Sequence, residues 1–222
     1  VLDLEGNNLI VKSGRSKFSL QTLPAKDFPN LDAGRFDATF GIDLAALFAP
    51  TAFAISTEET RFYLNGVFFK GGESVAVATD GHRLARNRGP ELPAFPGIIV
   101  PRKTVGLVPK GNVTVSVSEQ KIRIVSPDLT ITSKLIDGTF PDYERVIPKN
   151  NDKFVVVDRD AIMKAADRVA TVSSERGRAV KLSIASGTIS LHVSNPESGS
   201  ANDEVEADYS GEPLDIGFNA QY

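Results

Sequence analysis

The 222 residues contain no cysteine and no tryptophan, and only one methionine. Without cysteine there is no disulfide framework, no thiolate metal site and no cysteine nucleophile, a composition that suits a reducing compartment such as the cytoplasm. No apolar run approaches the ~20 residues of a membrane span, so no membrane partner is expected. A charge excess of one sign is missing too: 25 Lys and Arg against 28 Asp and Glu leave a net charge of −3, and the total advertises neither nucleic acid nor an anionic surface. The first residues, Val1-Leu2-Asp3-Leu4-Glu5-Gly6, offer neither Met nor the basic and apolar regions of a signal peptide. The expectation is a piece of a longer protein. What remains, 41% hydrophobic and 24% charged residues, fills an ordinary core and excludes disorder, collagen and coiled coil as the main state.

Alternation dominates the pattern. Leu9 to Ser13 and Arg15 to Leu20, separated by Gly14, predict a hairpin. Val113 to Val117, Ile122 to Val125 and Leu129 to Leu135 repeat the arrangement, as do Val180 to Ile184 and Thr188 to Val193 around Ser186-Gly187. A helix is predicted from the N-cap Asp158 to about Ser173, because Ile162, Ala165, Ala166, Val169 and Val172 fall at helical spacing. Its other face carries Lys164 and Arg168. Asp43 to Ile55 predicts a second helix, kinked or split at Pro50.

Two internal matches suggest tandem modules of about 115 residues. Ala54-Ile55-Ser56-Thr57-Glu58 with Arg61 lines up with Thr171-Val172-Ser173-Ser174-Glu175 with Arg178, and Leu23 with Phe28-Pro29 lines up with Leu135 with Phe140-Pro141. The expected division is the end of one module (1–38), a complete second (39–150) and the start of a third (151–222). Half-modules leave apolar faces uncovered, so poor solubility is expected outside 39–150. Residues 151–222 carry 7 basic and 12 acidic groups, the latter concentrated at Asp203, Glu204, Glu206, Asp208 and Glu212. Those acids lie far in sequence from Lys164 and Arg168, which suits one face for a polyanion and another for something else. An ordinary solvated helix face is the alternative.

Val75 to Ala85 reads as a tight hairpin about Asp80-Gly81. Asp80 and His82 could be a base and its orienter in a hydrolase, yet no serine is placed by sequence to be activated. Most Asp-Gly turns are structural. His82 with His192 lacks ligand-spaced partners for a metal, and there is no glycine-rich phosphate loop. No catalytic residue, metal or cofactor is expected, and the chain reads as non-enzymatic.

Ala78-Thr79-Asp80-Gly81-His82-Arg83-Leu84-Ala85, Arg61-Phe62-Tyr63-Leu64-Asn65-Gly66 and Phe140-Pro141-Asp142-Tyr143-Glu144-Arg145-Val146-Ile147-Pro148-Lys149 closely resemble the bacterial β sliding clamps, the processivity subunits of DNA polymerase III. Ser13 to Leu20, Ile99 to Lys103, Thr132 to Leu135 and Ile216 to Asn219 extend the resemblance in one register over essentially the whole chain. It implies an α+β DNA-clamp fold of tandem modules, with helices lining a ring and antiparallel sheets outside. Two chains close such a ring around duplex DNA without reading its sequence, in the bacterial cytoplasm.

The resemblance places Phe62, Tyr63, Arg102, Lys103, Lys164 and Arg168 at DNA, where scattered cations meet phosphates weakly. The predicted helix Asp43 to Ile55 supplies no Lys or Arg to that lining. A peptide pocket between the second and third domains is implied at Arg61, Leu64, Thr79, Gly81, His82, Arg83, Leu84, Pro141, Arg145 and Val146. Leu64, Leu84, Pro141 and Val146 would form its apolar floor; read without the resemblance, Leu84 and Val146 are core. Peptides would come from the polymerase III alpha subunit, the clamp loader, other polymerases and repair proteins. C-terminal tail residues complete the pocket in the family, so weakened binding is expected without them. Ring closure implies Arg15, Lys17, Phe18 and Leu20 on one edge and Thr171, Val172, Glu197 and Glu204 on the other. Two further readings stay open: a hydrolase using Asp80 and His82, and a stand-alone protein-interaction module.

Overall fold

The computed structural model describes residues 1–28, 34–173 and 178–222. Pro29, Ser174 and Glu175 of the internal matches lie outside the described residues. Two compact units result, Val1–Phe140 and Pro141–Tyr222.

The first unit begins with a three-stranded antiparallel sheet of β1 (Leu2–Glu5), β2 (Asn8–Ser13) and β3 (Ser16–Gln21). Gly14-Arg15 makes the two-residue turn between Ser13 and Ser16, with Gly14 at φ 56°. Register aligns Leu2 with Val11 and Phe18, and Leu4 with Leu9 and Leu20. These six side chains therefore share one face, and Leu2, Leu4, Phe18 and Leu20 are all exposed on it.

Next come β4 (Ala38–Ile42) and α1 (Leu44–Ala52), then β5 (Gly66–Lys70), β6 (Val75–Thr79), β7 (Leu84–Arg88) and β8 (Ile98–Pro101). After the short helix α2 (Arg102–Val105) follow β9 (Val113–Val117), β10 (Lys121–Val125) and β11 (Thr130–Lys134). Two four-stranded sheets result, ordered β7-β6-β5-β8 and β11-β10-β9-β4. Their inward residues and the buried face of α1 form one core. At its centre the fully buried Phe69 meets Phe48 and Phe95 edge-to-face, at 5.4 and 5.1 Å between centroids. Rings in that geometry add attraction to the area they bury.

The helix expected over 43–55 is shorter, and Pro50 does not split it. Asp43 caps its start by accepting from the Ala46 N–H at 2.9 Å. Proline lacks the N–H that would bond the Ala46 carbonyl. The Asn87 amide from β7 serves this stretch instead, donating to the Leu47 carbonyl at 2.9 Å and reaching the Ala46 carbonyl at 3.5 Å. A side chain from β7 thus reaches, at the limit of hydrogen-bond distance, the carbonyl that Pro50 leaves without its helical donor.

The second unit holds β12 (Val156–Val157), α3 (Arg159–Ala170), β13 (Ala179–Ala185), β14 (Thr188–Asn195), β15 (Gly199–Asp208) and β16 (Leu214–Asn219). They form one antiparallel sheet in the order β12-β15-β14-β13-β16. Asp158 caps α3 from the Ala161 N–H at 2.8 Å. The helix ends at Ala170 because the Thr171 and Ser173 hydroxyls take the carbonyls of Arg168 and Ala170, both at 2.7 Å. Ala165 and Val169 are buried against the sheet, with Ile162, Ala166 and Val172 at the margin. Among the described residues, no helix is long and apolar enough to cross a membrane.

Candidate functional site

The hairpin joining β6 and β7 is wider at its tip than the tight hairpin expected about Asp80-Gly81. Four residues, Asp80 to Arg83, separate the last pair, Thr79 with Leu84. Side chains replace the ladder here. Asp80 Oδ1 accepts from the His82 and Arg83 N–H groups at 2.9 and 3.0 Å. The Thr79 hydroxyl accepts from the Gly81 N–H at 3.1 Å and donates to the Arg83 carbonyl at 2.7 Å. Short polar side chains that bond their own backbone hold such loops open.

Arg83 is fastened on three sides. Its Nε donates to Asp80 Oδ2 at 3.1 Å, its Nη2 donates to the Phe53 carbonyl at 2.9 Å, and its Cζ lies 5.2 Å from the centroid of the Phe53 ring. Burial raises the Asp80 pKa, but the bonds from His82, Arg83 and the guanidinium outweigh it, and the carboxyl sits below its ordinary range. A carboxylate so committed organises the loop and is a poor proton acceptor at neutral pH.

Arg61 approaches the same loop from the 3₁₀ segment Glu59–Leu64. It is bidentate on Glu58, Nε to Oε2 at 2.8 Å and Nη2 to Oε1 at 2.6 Å. The Arg61 bond holds the Glu58 pKa down against the opposing effect of burial, and the charges of His82 and Asp80 are felt as well. Gly81, at φ 88°, lies directly beneath Arg61: any Cβ there would collide with Nη1. Arg61, Thr79, Gly81, His82, Arg83 and Leu84 are thus gathered in the first unit. Leu64 is only 3% exposed and offers no accessible floor, whereas Leu84 is half-buried. Pro141, Arg145 and Val146 begin the second unit; Arg145 pairs with Asp142 at 2.8 Å, and Val146 is 67% exposed and therefore not core. The sequence reading missed Phe53 and Glu58. Glu58, three residues before Arg61, was findable by spacing; Phe53 was not.

A second group forms at the same end of this sheet, where β5 begins and β8 ends. Gly66 pairs with Pro101, and the Arg102 N–H donates to the Asn65 carbonyl at 3.0 Å. A Cβ at Gly66 would strike the Val100 carbonyl, so glycine permits the close approach. This joins Phe62 and Tyr63, edge-to-face at 5.8 Å, to the exposed Arg102 and Lys103. Phe62 is exposed and Tyr63 half-buried.

On α3, Lys164 and Arg168 are both exposed. The expected separation of this stripe from the acids is not what the fold makes: Arg168 Nε donates to Asp203 Oδ2 at 2.6 Å. Strand β15 returns Asp203 to the helix, so distance in sequence misled. Thr171 and Val172 follow α3, Glu197 lies between β14 and β15, and Glu204 on β15 accepts from Ser190 Oγ at 3.5 Å. β15 pairs with β12 only at Asp208 and Ala207. Arg15, in the turn, and Lys17, Phe18 and Leu20, on edge strand β3, are all exposed. Among the described residues, no group of three or more His, Asp or Glu could hold a metal ion.

Residues 42–142 match the family model of the DNA polymerase III beta subunit central domain, and residues 144–222 match that of its C-terminal domain. The beta sliding clamp of Caulobacter vibrioides is 48% identical over 235 aligned residues, covering 96% of this chain and 62% of that protein. The beta sliding clamp of Escherichia coli is 40% identical, covering 100% and 64%. A crystal structure of a sliding clamp from Bartonella birtlesii bound to griselimycin matches with a TM-score of 0.91 and 45% identity, over 100% of this chain and 64% of that one. The chain spans between 62% and 64% of the length of these relatives. With both family patterns falling in order along it, the chain belongs to the DNA polymerase III beta subunit family.

Proposed function

We propose that this chain is part of a non-catalytic sliding clamp that encircles duplex DNA and tethers DNA polymerase III and other replication and repair proteins to it. The observation that carries the reading is the loop Thr79–Leu84, ordered by its own hydrogen bonds and flanked by Arg61 and Arg83, in a chain of this family. Its preset shape lowers the entropy cost of docking an extended peptide. Leu84 supplies apolar surface there, and the guanidinium groups offer donors to peptide carbonyls. Pro141, Arg145 and Val146 are proposed as peptide contacts on the second unit. Phe62, Tyr63, Arg102 and Lys103 form one DNA-facing group, and the stripe on α3 forms another. The same reading carries the three-module division at 1–38, 39–150 and 151–222, the bacterial cytoplasm, and a homodimer closed through the edges around Phe18 and Val172.

The test is binding of a fluorescent extended peptide, with a Gln and closing apolar residues, to the chain extended to full clamp length. Saturable binding that Arg83→Ala and Leu84→Ala each weaken at least tenfold supports the pocket. A folded protein that binds no such peptide overturns it. A stand-alone interaction module would bind peptide but show no salt-dependent affinity for duplex DNA.

A further inference from the structure

The cations of α3 are not equivalent. Arg159 is paired with its neighbour Asp160 at 2.8 Å, and Arg168 with Asp203 at 2.6 Å. Lys164 has no ion pair among the described residues, and neither have Arg102 and Lys103 on α2. The Asp203 carboxylate is itself held, because its Oδ1 accepts from the Glu204 N–H at 2.8 Å. Asp203 is also the less exposed partner, 23% against 59% for the Arg168 side chain. The acid is therefore a fixed fixture of β15, and the longer arginine is the group drawn to it. Strand alternation puts Asp203 on the helix side with the buried Val205, while Glu204 and Glu206 point to the other side.

We propose that Asp203 is a built-in counter-charge for Arg168 that limits how strongly this face of α3 grips DNA phosphate. The inference rests on the DNA-facing reading of α3. A phosphate meeting Arg168 meets a pair of near-zero net charge, so it displaces fewer counterions than an unpaired cation would. Lys164 then carries most of the attraction of the helix. For a protein that must move along a duplex, a damped cation keeps contact without adding a hold that each step has to break.

The experiment measures duplex DNA binding by the full chain across a salt series, for the parent protein and for Asp203→Asn, Arg168→Gln, the double variant and Glu206→Gln. Glu206→Gln removes one acid on the opposite side of the same strand and reads the effect of net charge alone. Circular dichroism verifies that each variant is folded. Asp203→Asn should steepen the slope of log affinity against log salt by about 0.9, one phosphate equivalent, a gain of up to about eightfold at 0.1 M salt. Adding Arg168→Gln should abolish that gain. If Asp203→Asn gains no more than Glu206→Gln, or the gain survives without Arg168, the counter-charge is overturned while the DNA reading stands. If no variant binds DNA even at low salt, the DNA reading of α3 falls and this inference with it.

Discussion

Arg83 and Phe53 meet twice, through a hydrogen bond from Nη2 to the Phe53 carbonyl at 2.9 Å and through the guanidinium lying over the Phe53 ring at 5.2 Å. Thirty residues separate them in sequence. One side chain thus ties the β6–β7 loop to the chain just beyond α1. Arg83→Ala removes both contacts and the pair with Asp80. The expected cost, discounted for solvent screening, is about 1–2 kcal/mol. Thermal denaturation checks it, and Arg83→Lys should recover less than half, since a lysine cannot serve three directions at once.

Gly81→Ala tests the fit under Arg61. The backbone is at φ 88° and the added methyl meets the guanidinium. Gly111 has nearly the same φ, 89°, with nothing within 4 Å of an added Cβ. Both substitutions carry the strain of the left-handed backbone, about 1 kcal/mol. Gly81→Ala should cost more than Gly111→Ala, and the excess should vanish in an Arg61→Ala background. Urea unfolding of the four variants reads the difference.

Acid should loosen the β6–β7 loop. The folded Asp80 carboxyl is held below its ordinary value, which is about 3.9 in an unfolded chain. Its contribution to stability is therefore complete above that value and is lost as pH falls through the lower folded pKa. Asp203, Asp215 and Glu58 are shifted the same way. The difference between parent and Asp80→Asn in urea midpoints from pH 7 to pH 2.5 isolates Asp80: it should be largest near neutrality and shrink below pH 4.

Asn87→Ala should destabilise the first unit by about 1–2 kcal/mol by leaving the Ala46 and Leu47 carbonyls without the amide. Pro50→Ala restores a backbone donor to Ala46, so the loss should be smaller in that background. Additive effects in a thermal double-mutant cycle would show that Asn87 does not compensate for Pro50.

Elements were legible in the sequence where a local pattern is enough. Alternation marked β9, β10, β13 and β14, and Asp158 with the spacing of Ala165 and Val169 marked α3. Local rules failed where a side chain took over a bond of the backbone. Pro50 sits inside α1 without splitting it, and Asn87, 40 residues on from Leu47, bonds the backbone of that stretch. The hairpin about Asp80-Gly81 is wider than a tight one, and the Asp80 carboxylate and the Thr79 hydroxyl bond its loop from within. Of the site, the family motifs supplied the residues but not their couplings. The pairs Arg83–Phe53 and Arg168–Asp203 arise only once strands and helices pack, and no spacing rule announces them.

The loop between β6 and β7 has one more consequence. The bonds that give it shape run among Thr79, Asp80, Gly81, His82 and Arg83. Its form is thus written in a short stretch of chain, much as a cassette carries its own frame. Grafted between two strands of matching register in an unrelated protein, that stretch would keep its curve and carry its exposed surface with it, while the outside supports at Arg61 and Phe53 would be left behind.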